Sequence, residues 1–387
     1  MRVLHVIPSV GPARGGPSFV MRSLARGLAA SGVEVHVAST DDNGRRERLS
    51  VPLSQPVAED GVTYWYFPCQ TRFYQASLPL TRWLWRESRS FDLVHIHALF
   101  SYSSSASGLV ALSRGVPYVI RPLGILNRWG RVNRRPFLKN LSFQVLERRL
   151  VEGARAMHYT SRLEREEAEE WGFAAPAAII PNPVSFDDLP EVAGGGFRAK
   201  HGLGERLLVL FLSRIDDKKG LDLLIPAFAR FRKRYLESTL VIAGSGSEAL
   251  ESSLRKLAEE HAVTDSILWT GFVEGRAKAE LLRDADVFVL PSYSENFGVA
   301  AVEAMGLGLP LIVSDQVGIC GEIEAAGAGA VVRCEVTALA AEMERLAGDA
   351  ALRGRMGEQG RKLALEEYSL GAVCGKMLGL YRQVLGE

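Results

Sequence analysis

The chain has 387 residues, 47% apolar and 24% charged, with a formal net charge of +1. That length exceeds one ordinary core and predicts two domains, and the composition is that of an ordinary soluble globular protein. Charge is uneven: residues 1–188 carry 23 Lys and Arg against 17 Asp and Glu, and residues 189–387 carry 23 against 28. The first half therefore suits an anionic partner, without the excess expected of a nucleic-acid binder. Cys69, Cys320, Cys334 and Cys374 have no CxxC spacing, which argues against a zinc site or a disulfide framework and for a reducing cytoplasm.

MRVLHVIPSV is apolar from its third residue, so it reads as a first buried strand and not as a secretory signal. No window approaches roughly 18 apolar residues. VLHVIPS (3–9) is followed by a glycine loop and the helical FVMRSLARGLAASG (19–32). VEVHVAST (33–40), FDLVHIHAL (91–99) and PYVIRPL (117–123) continue the strand series, with a helix from about Ser104 to Arg114 between the last two. This alternation predicts a parallel sheet covered by helices on both faces.

Residues 181–206, rich in Pro, Gly and charge, read as a linker, after which the rhythm restarts. RLLVLFLSR (206–214), STLVIAGSG (238–246), SILWTG (266–271), ADVFVLPS (285–292), LPLIVSD (309–315) and GAVVRC (329–334) are strands. Helices are expected at 221–235, 249–263 and 299–308, and the tail 372–386 has helical apolar spacing. The reading is α/β: two Rossmann-like, doubly wound domains, 1–188 and 189–366, with a C-terminal helix, 367–387, packed on the body. A cleft is expected between the carboxyl ends of their strands.

In SENFGVAAVEAM (294–305) a buried strand runs into Glu295, and a helix opens at Gly298. The amides of Asn296, Phe297, Gly298 and Val299 would be unpaired there, which suits an anion such as a diphosphate. Glu295 could accept hydrogen bonds from sugar hydroxyls and Glu303 from a ribose. A capped amphipathic helix with Glu303 solvated is the plainer alternative. SRIDDKKG (213–220) ends another strand with Arg214, Lys218 and Lys219, cations fitted to a diphosphate or simply a solvated loop. IAGSGSE (242–248), with Gly244 and Gly246, lacks the third glycine of a dinucleotide fingerprint.

Taken together, the Glu-x7-Glu spacing of Glu295 and Glu303, the SRxxxxKG pattern, the AGSG loop and the ADVFVLPS strand resemble retaining glycosyltransferase family 4. HVIPSVGPARGGPSFVMRSLARGL resembles that family's first strand, glycine loop and helix. The resemblance runs over nearly the whole chain and is most specific in the carboxyl half. It implies the GT-B fold, a nucleotide-diphosphate-sugar donor held mainly by the second domain, and transfer with retention at the anomeric carbon. Carried over, Arg214 and Lys219 contact the diphosphate. Glu295 with the amides of Asn296, Phe297 and Gly298 holds the donor sugar, and Glu303 the ribose. Gly271, Phe272 and Val273 flank the base, and Gly15 and Gly16 let a first-domain loop approach the phosphates. Many relatives have a histidine beside the transferred sugar where this chain has Arg121. His97 is the other candidate for that contact, and His95 reads as a core residue.

The expected donor is UDP-glucose or a similar UDP-hexose. No cofactor is expected and no metal, because DAD (284–286) leads straight into a buried strand, making Asp286 structural. RPLGILNRWGRVNRRPFLKN (121–140) interleaves Arg121, Arg128, Arg131, Arg134, Arg135 and Lys139 with Leu126, Trp129, Phe137 and Leu138 and contains no acid. It suits an anionic bilayer or a lipid diphosphate, or else is a solvated basic segment. The expected partners are the donor and a glycan or lipid-linked acceptor, in cell-surface polysaccharide synthesis at the inner membrane face. No nucleic acid is expected. A nucleotide-sugar 2-epimerase of the same architecture, a non-catalytic nucleotide-sugar binder and a dinucleotide oxidoreductase are the competing readings.

Overall fold

Short runs of Val, Leu, Ile and Ala bounded by glycine and proline loops form central strands that are buried on both faces, as the interior of a parallel sheet requires. The structure, a computed structural model, describes residues 1–44, 47–71, 74–129 and 140–387. It divides into two units, Met1–Pro183 with Leu370–Glu387, and Val184–Ser369.

Among the described residues, the first unit holds an eight-stranded sheet of order β3-β4-β2-β1-β5-β6-β7-β8. Its strands are β1 (Arg2–Ser9), β2 (Glu34–Thr40), β3 (Pro56–Glu59), β4 (Val62–Phe67), β5 (Leu93–His97), β6 (Tyr118–Arg121), β7 (Ala156–Tyr159) and β8 (Ala177–Ile179). All pairings are parallel except β3 with β4. The sequence reading has no strand for β3, β4, β7 or β8. β7 and β8 are only four and three residues long, too short to display a period. β3 opens on a proline and is largely exposed, which suits an edge. The helix Leu370–Leu385 lies on the helix Gly16–Ala30. A Cβ at Gly27 would sit 2.6 Å from Cys374 Sγ and 2.7 Å from Leu370 Cδ1, so glycine sets how closely these helices approach.

The second unit holds a fully parallel six-stranded sheet of order β11-β10-β9-β12-β13-β14. Its strands are β9 (Leu207–Leu212), β10 (Ser238–Ala243), β11 (Ile267–Gly271), β12 (Val287–Leu290), β13 (Leu311–Ser314) and β14 (Gly329–Val332). In both units the strand order reverses once, between β1 and β5 and between β9 and β12. Beyond the carboxyl ends of such a pair, doubly wound sheets leave a crevice for ligands. Gly15 and His97 follow the first switch, and Lys219 and Glu295 the second.

Candidate donor site and a buried histidine cluster

Three strand-end loops of the second unit are locked together through their backbones. Gly220, at φ 72°, ends the turn Asp217–Lys219, and a Cβ on it would lie 2.1 Å from the Pro291 carbonyl after β12. A Cβ on Gly244 would lie 1.8 Å from the Ser213 carbonyl, and one on Gly246 2.4 Å from that of Ile215. The AGSG glycines therefore let the loop after β10 close on the loop after β9, a reason for them that requires no phosphate.

This packing holds Lys219 nearly buried, with its ammonium paired to the Glu295 carboxylate. Glu295 is fixed at both ends: its N–H donates to the Gln316 carbonyl at 3.0 Å and its carbonyl accepts from Gly318 N–H at 2.8 Å. Burial alone would raise the Glu295 pKa. Lys219, Lys218 and a hydrogen bond from the Phe297 amide outweigh it and hold the carboxyl below its usual range. Lys218 is itself pushed down by burial, with Glu295 opposing the shift. The Phe297 amide is thus engaged by a carboxylate of the chain. Arg214 lies beside these groups in sequence, on the exposed surface.

Gly298, at φ 92° and ψ 60°, caps the helix Val299–Gly306, a left-handed conformation natural to glycine. Glu303 on that helix accepts from Lys278 Nζ at 2.8 Å, and both side chains are mostly buried. The two glutamates of SENFGVAAVEAM are therefore each matched to a lysine from elsewhere in the fold. Lys278, 25 residues from Glu303, carries no local signal in the sequence, and the reading missed it. Val299 lies half-buried at the helix start. At the end of β11, Gly271 has φ 69°, Phe272 is 69% exposed and Val273 packs on the core.

Asp284 accepts from the Gly195 and Arg198 amides. Asp286 accepts from the Arg198 guanidinium and from Leu208 N–H, both at 2.7 Å. Both acids of DAD thus hold a loop against the sheet.

In the first unit, Gly15 has φ 70° and caps the helix Gly16–Ala30, and no atom lies within 4 Å of a Cβ built on Gly15 or Gly16. His97 and Arg121, register partners at the ends of β5 and β6, are both buried. Arg121 donates to Asn182 Oδ1. Burial lowers its pKa to about 10, against Glu164 and Tyr381, so it remains a cation at neutral pH. Around them stand His5, His95, His158 and Tyr381, none of which reaches the surface. Each of these residues reads alone as an ordinary core position, and only strand register unites them. Ring nitrogens of His5, His95 and His97 lie within 4.8 Å of one another.

Part of the expected membrane segment needs correction. Arg121 is buried by the sheet and Leu126 in the core, so these two side chains are not free to meet a bilayer, whereas Arg128 pairs with Glu170 on the exposed surface. Arg131, Arg134, Arg135, Phe137, Leu138 and Lys139 lie outside the described residues.

Two family models match the chain: "Glycosyl transferase 4-like domain" over residues 15–183 and "Glycosyl transferases group 1" over residues 196–363. An alpha-D-kanosaminyltransferase from Streptomyces kanamyceticus is 32% identical over 54% of this chain and 53% of its own, so the match spans about half of that relative. A GDP-mannose:cellobiosyl-diphosphopolyprenol alpha-mannosyltransferase from Xanthomonas campestris is 28% identical over 100% of this chain and 98% of its own. Among solved structures, a sucrose-phosphate synthase from Thermosynechococcus elongatus superposes with a TM-score of 0.78 at 20% identity, covering 100% of this chain and 99% of that one. HepE from Anabaena, in complex with UDP and glucose, superposes with a TM-score of 0.78 at 16% identity, covering 99% of this chain and 100% of its own. The structural likenesses show the fold.

Proposed function

Since the chain belongs to the GT-B glycosyltransferases that the group 1 and 4-like models describe, we propose that it transfers a hexose from a nucleotide-diphosphate sugar to a glycan or lipid-linked acceptor. One observation carries the reading: a buried lysine, Lys219, with Lys218 beside it, at the switch point between β9 and β12. A cation with little water around it stabilises a departing diphosphate far more than a solvated one does. Glu295 pairs with that lysine and holds it in position, and the Gly298 helix start adds partial positive charge. Retention at the anomeric carbon and independence of metal belong to the same proposal. In support of the latter, both carboxylates of DAD are already engaged.

UDP-glucose is the donor expected from the sequence. The relatives aligned over the whole chain include two whose names specify GDP-mannose, so both bases enter the test. Purified protein is heated with UDP- and GDP-hexoses, with and without EDTA. The true donor at a hundred times its dissociation constant is expected to stabilise the fold by roughly 2.7 kcal/mol, equally with EDTA present. No response to any nucleotide sugar would overturn the donor site, and loss of the response with EDTA would overturn metal independence. The anomeric configuration of the product, read by NMR, tests retention.

For the acceptor, the same two names specify a sugar on a diphosphopolyprenol, which supports a lipid-linked substrate and work at the inner membrane face. Among the described residues no helix is long and apolar enough to cross a membrane. The helix Leu78–Glu87 exposes Leu78 and Trp85 among Arg82 and Arg86, with Arg114 stacked 5.1 Å from the Trp85 ring. Apolar anchors set among arginines suit an anionic bilayer surface. In flotation with anionic liposomes, W85S/R86E is expected to stay at the bottom of the gradient while the wild-type protein rises. Equal flotation of the two removes this face from the proposal.

A further inference from the structure

The buried cluster of the first unit contains a chain of hydrogen bonds whose direction can be worked out from one end. His158 Nε2 lies 2.8 Å from the Ile180 carbonyl oxygen. A carbonyl can only accept, so this nitrogen carries the ring's proton. All four rings are fully buried next to the Arg121 guanidinium, and burial and that charge favour their neutral form. A neutral imidazole has one donor and one acceptor. His158 Nδ1 must therefore accept, and His95 Nε2, 3.3 Å away, must donate to it. His95 Nδ1 is then an acceptor and takes the only proton of the Tyr381 hydroxyl, at 2.7 Å. With that proton committed, Tyr381 Oη accepts from His5 Nε2 at 3.5 Å. His5 Nδ1 in turn accepts from His97 Nε2 at 2.9 Å.

The relay ends at His97 Nδ1, a buried lone pair with no hydrogen-bond partner among the described residues. On the adjoining strand the Nε–H of Arg121 is likewise buried without a partner. The backbone just beyond both residues is left-handed at non-glycine positions, with φ 73° at Ala98, 53° at Phe100 and 59° at Leu123. Such conformations cost about 1–3 kcal/mol each and cluster where a fold holds side chains for use. Ala98 N–H donates to the Arg121 carbonyl at 2.8 Å, which ties the two strand ends together.

We infer that Tyr381, on the C-terminal helix, is a positioning residue that fixes His97 in its Nε2–H tautomer and leaves Nδ1 as a bare acceptor next to a guanidinium donor. In this form His97 can accept from a hydroxyl group; in the other tautomer Nδ1 could only donate. This proton order and a metal ion on His5, His95 and His97 exclude one another, because in it the Nδ1 lone pairs of His5 and His95 are occupied and Arg121 stands beside them. Use of the His97 acceptor in sugar transfer rests on the function proposed above, whereas the proton order does not.

The test is an NMR measurement on the full-length protein labelled with 15N-histidine, at pH 7.5. Long-range proton–nitrogen correlations distinguish a protonated ring nitrogen from a bare one, and single His→Gln variants assign the rings. His5, His95, His97 and His158 are all expected to be protonated at Nε2 alone. In Y381F, His5 loses its acceptor and can reverse, so His97 is expected to show a proton on Nδ1. A wild-type His97 protonated at Nδ1 overturns the inference, and so does a folded Y381F whose four rings are unchanged. The wild-type spectrum decides the proton order even where the variant is unstable. Loss of transfer activity with the four-ring pattern intact would count against the proposed reaction and leave the relay standing.

Discussion

Replacing Lys219 with alanine is expected to lower kcat by roughly 10²–10³-fold, the loss seen when one preorganised charge-stabilising donor is removed from a reacting centre. The same change strips the counter-charge from Glu295, whose side chain is mostly buried. An uncompensated buried charge costs about 3–5 kcal/mol. K219A alone therefore confuses catalysis with folding, and a double substitution separates them. K219M/E295Q removes both charges at once, and exchange of a buried ion pair for neutral groups is often close to neutral for stability. Its denaturation midpoint is expected to return toward the wild-type value while kcat stays depressed. Recovery of activity with stability would mean that Lys219 serves the fold and not the leaving group. E303Q, which disturbs the pair with Lys278, is expected to act mainly through KM, because a ribose contact binds substrate and transition state alike.

The parts of this site that could be read in the sequence are those carried by local chemistry. Gly220, Gly244 and Gly298 stand where strands end and the backbone takes a positive φ, so the three strand-end loops announce themselves through residues that nothing else can replace. The Glu295–Glu303 spacing was visible for the same reason, lying within one loop and one short helix. What pairs those acids was not: Lys219 and Lys278 reach them across 76 and 25 residues, and only the sheet order brings them together. The first unit repeats the lesson. The HIH of β5 is plain in the sequence, but His5 and His158 join it through the parallel register of β1, β5, β6 and β7. β7 is four residues long and β8 three, below the length at which alternation can be recognised, so this register could not be anticipated.

The same cluster makes the first unit sensitive to mild acid, and that is the second large effect expected. Burial, then Arg121, lowers the His5 pKa to about 3. Burial first, with Arg121 and neighbouring rings adding to it, holds His95, His97 and His158 well below the usual 6.5. In the folded state these rings stay neutral, and in the unfolded chain each binds a proton below about pH 6.5. The unfolded state therefore takes up more protons as pH falls, and folding stability, fully present above pH 6.5, declines through the window below it. Between pH 7.5 and 5.5 each ring forfeits stability on the order of 1 kcal/mol, and the four together several times that. A domain has only about 5–15 kcal/mol in hand, so a large share of the first unit's stability is expected to be lost by pH 5.5. Glu295 in the second unit is displaced in the same direction but in a lower window: its lowered pKa contributes stability that is fully present at neutral pH and is lost only as pH falls below the ordinary carboxyl range, about 4.3. Tryptophan fluorescence can follow the first unit almost alone, since Trp65, Trp83, Trp85, Trp129 and Trp171 lie in it and only Trp269 in the second. Urea denaturation midpoints read this way should fall steeply from pH 7.5 to 5.5. In H158Q, where the amide can donate to the Ile180 carbonyl and accept from His95 but cannot titrate, the fall should be shallower by one proton's share. A midpoint unchanged across that range would mean that the rings are protonated in the folded state, with their hydrogen bonds directed differently from the order that Ile180 imposes.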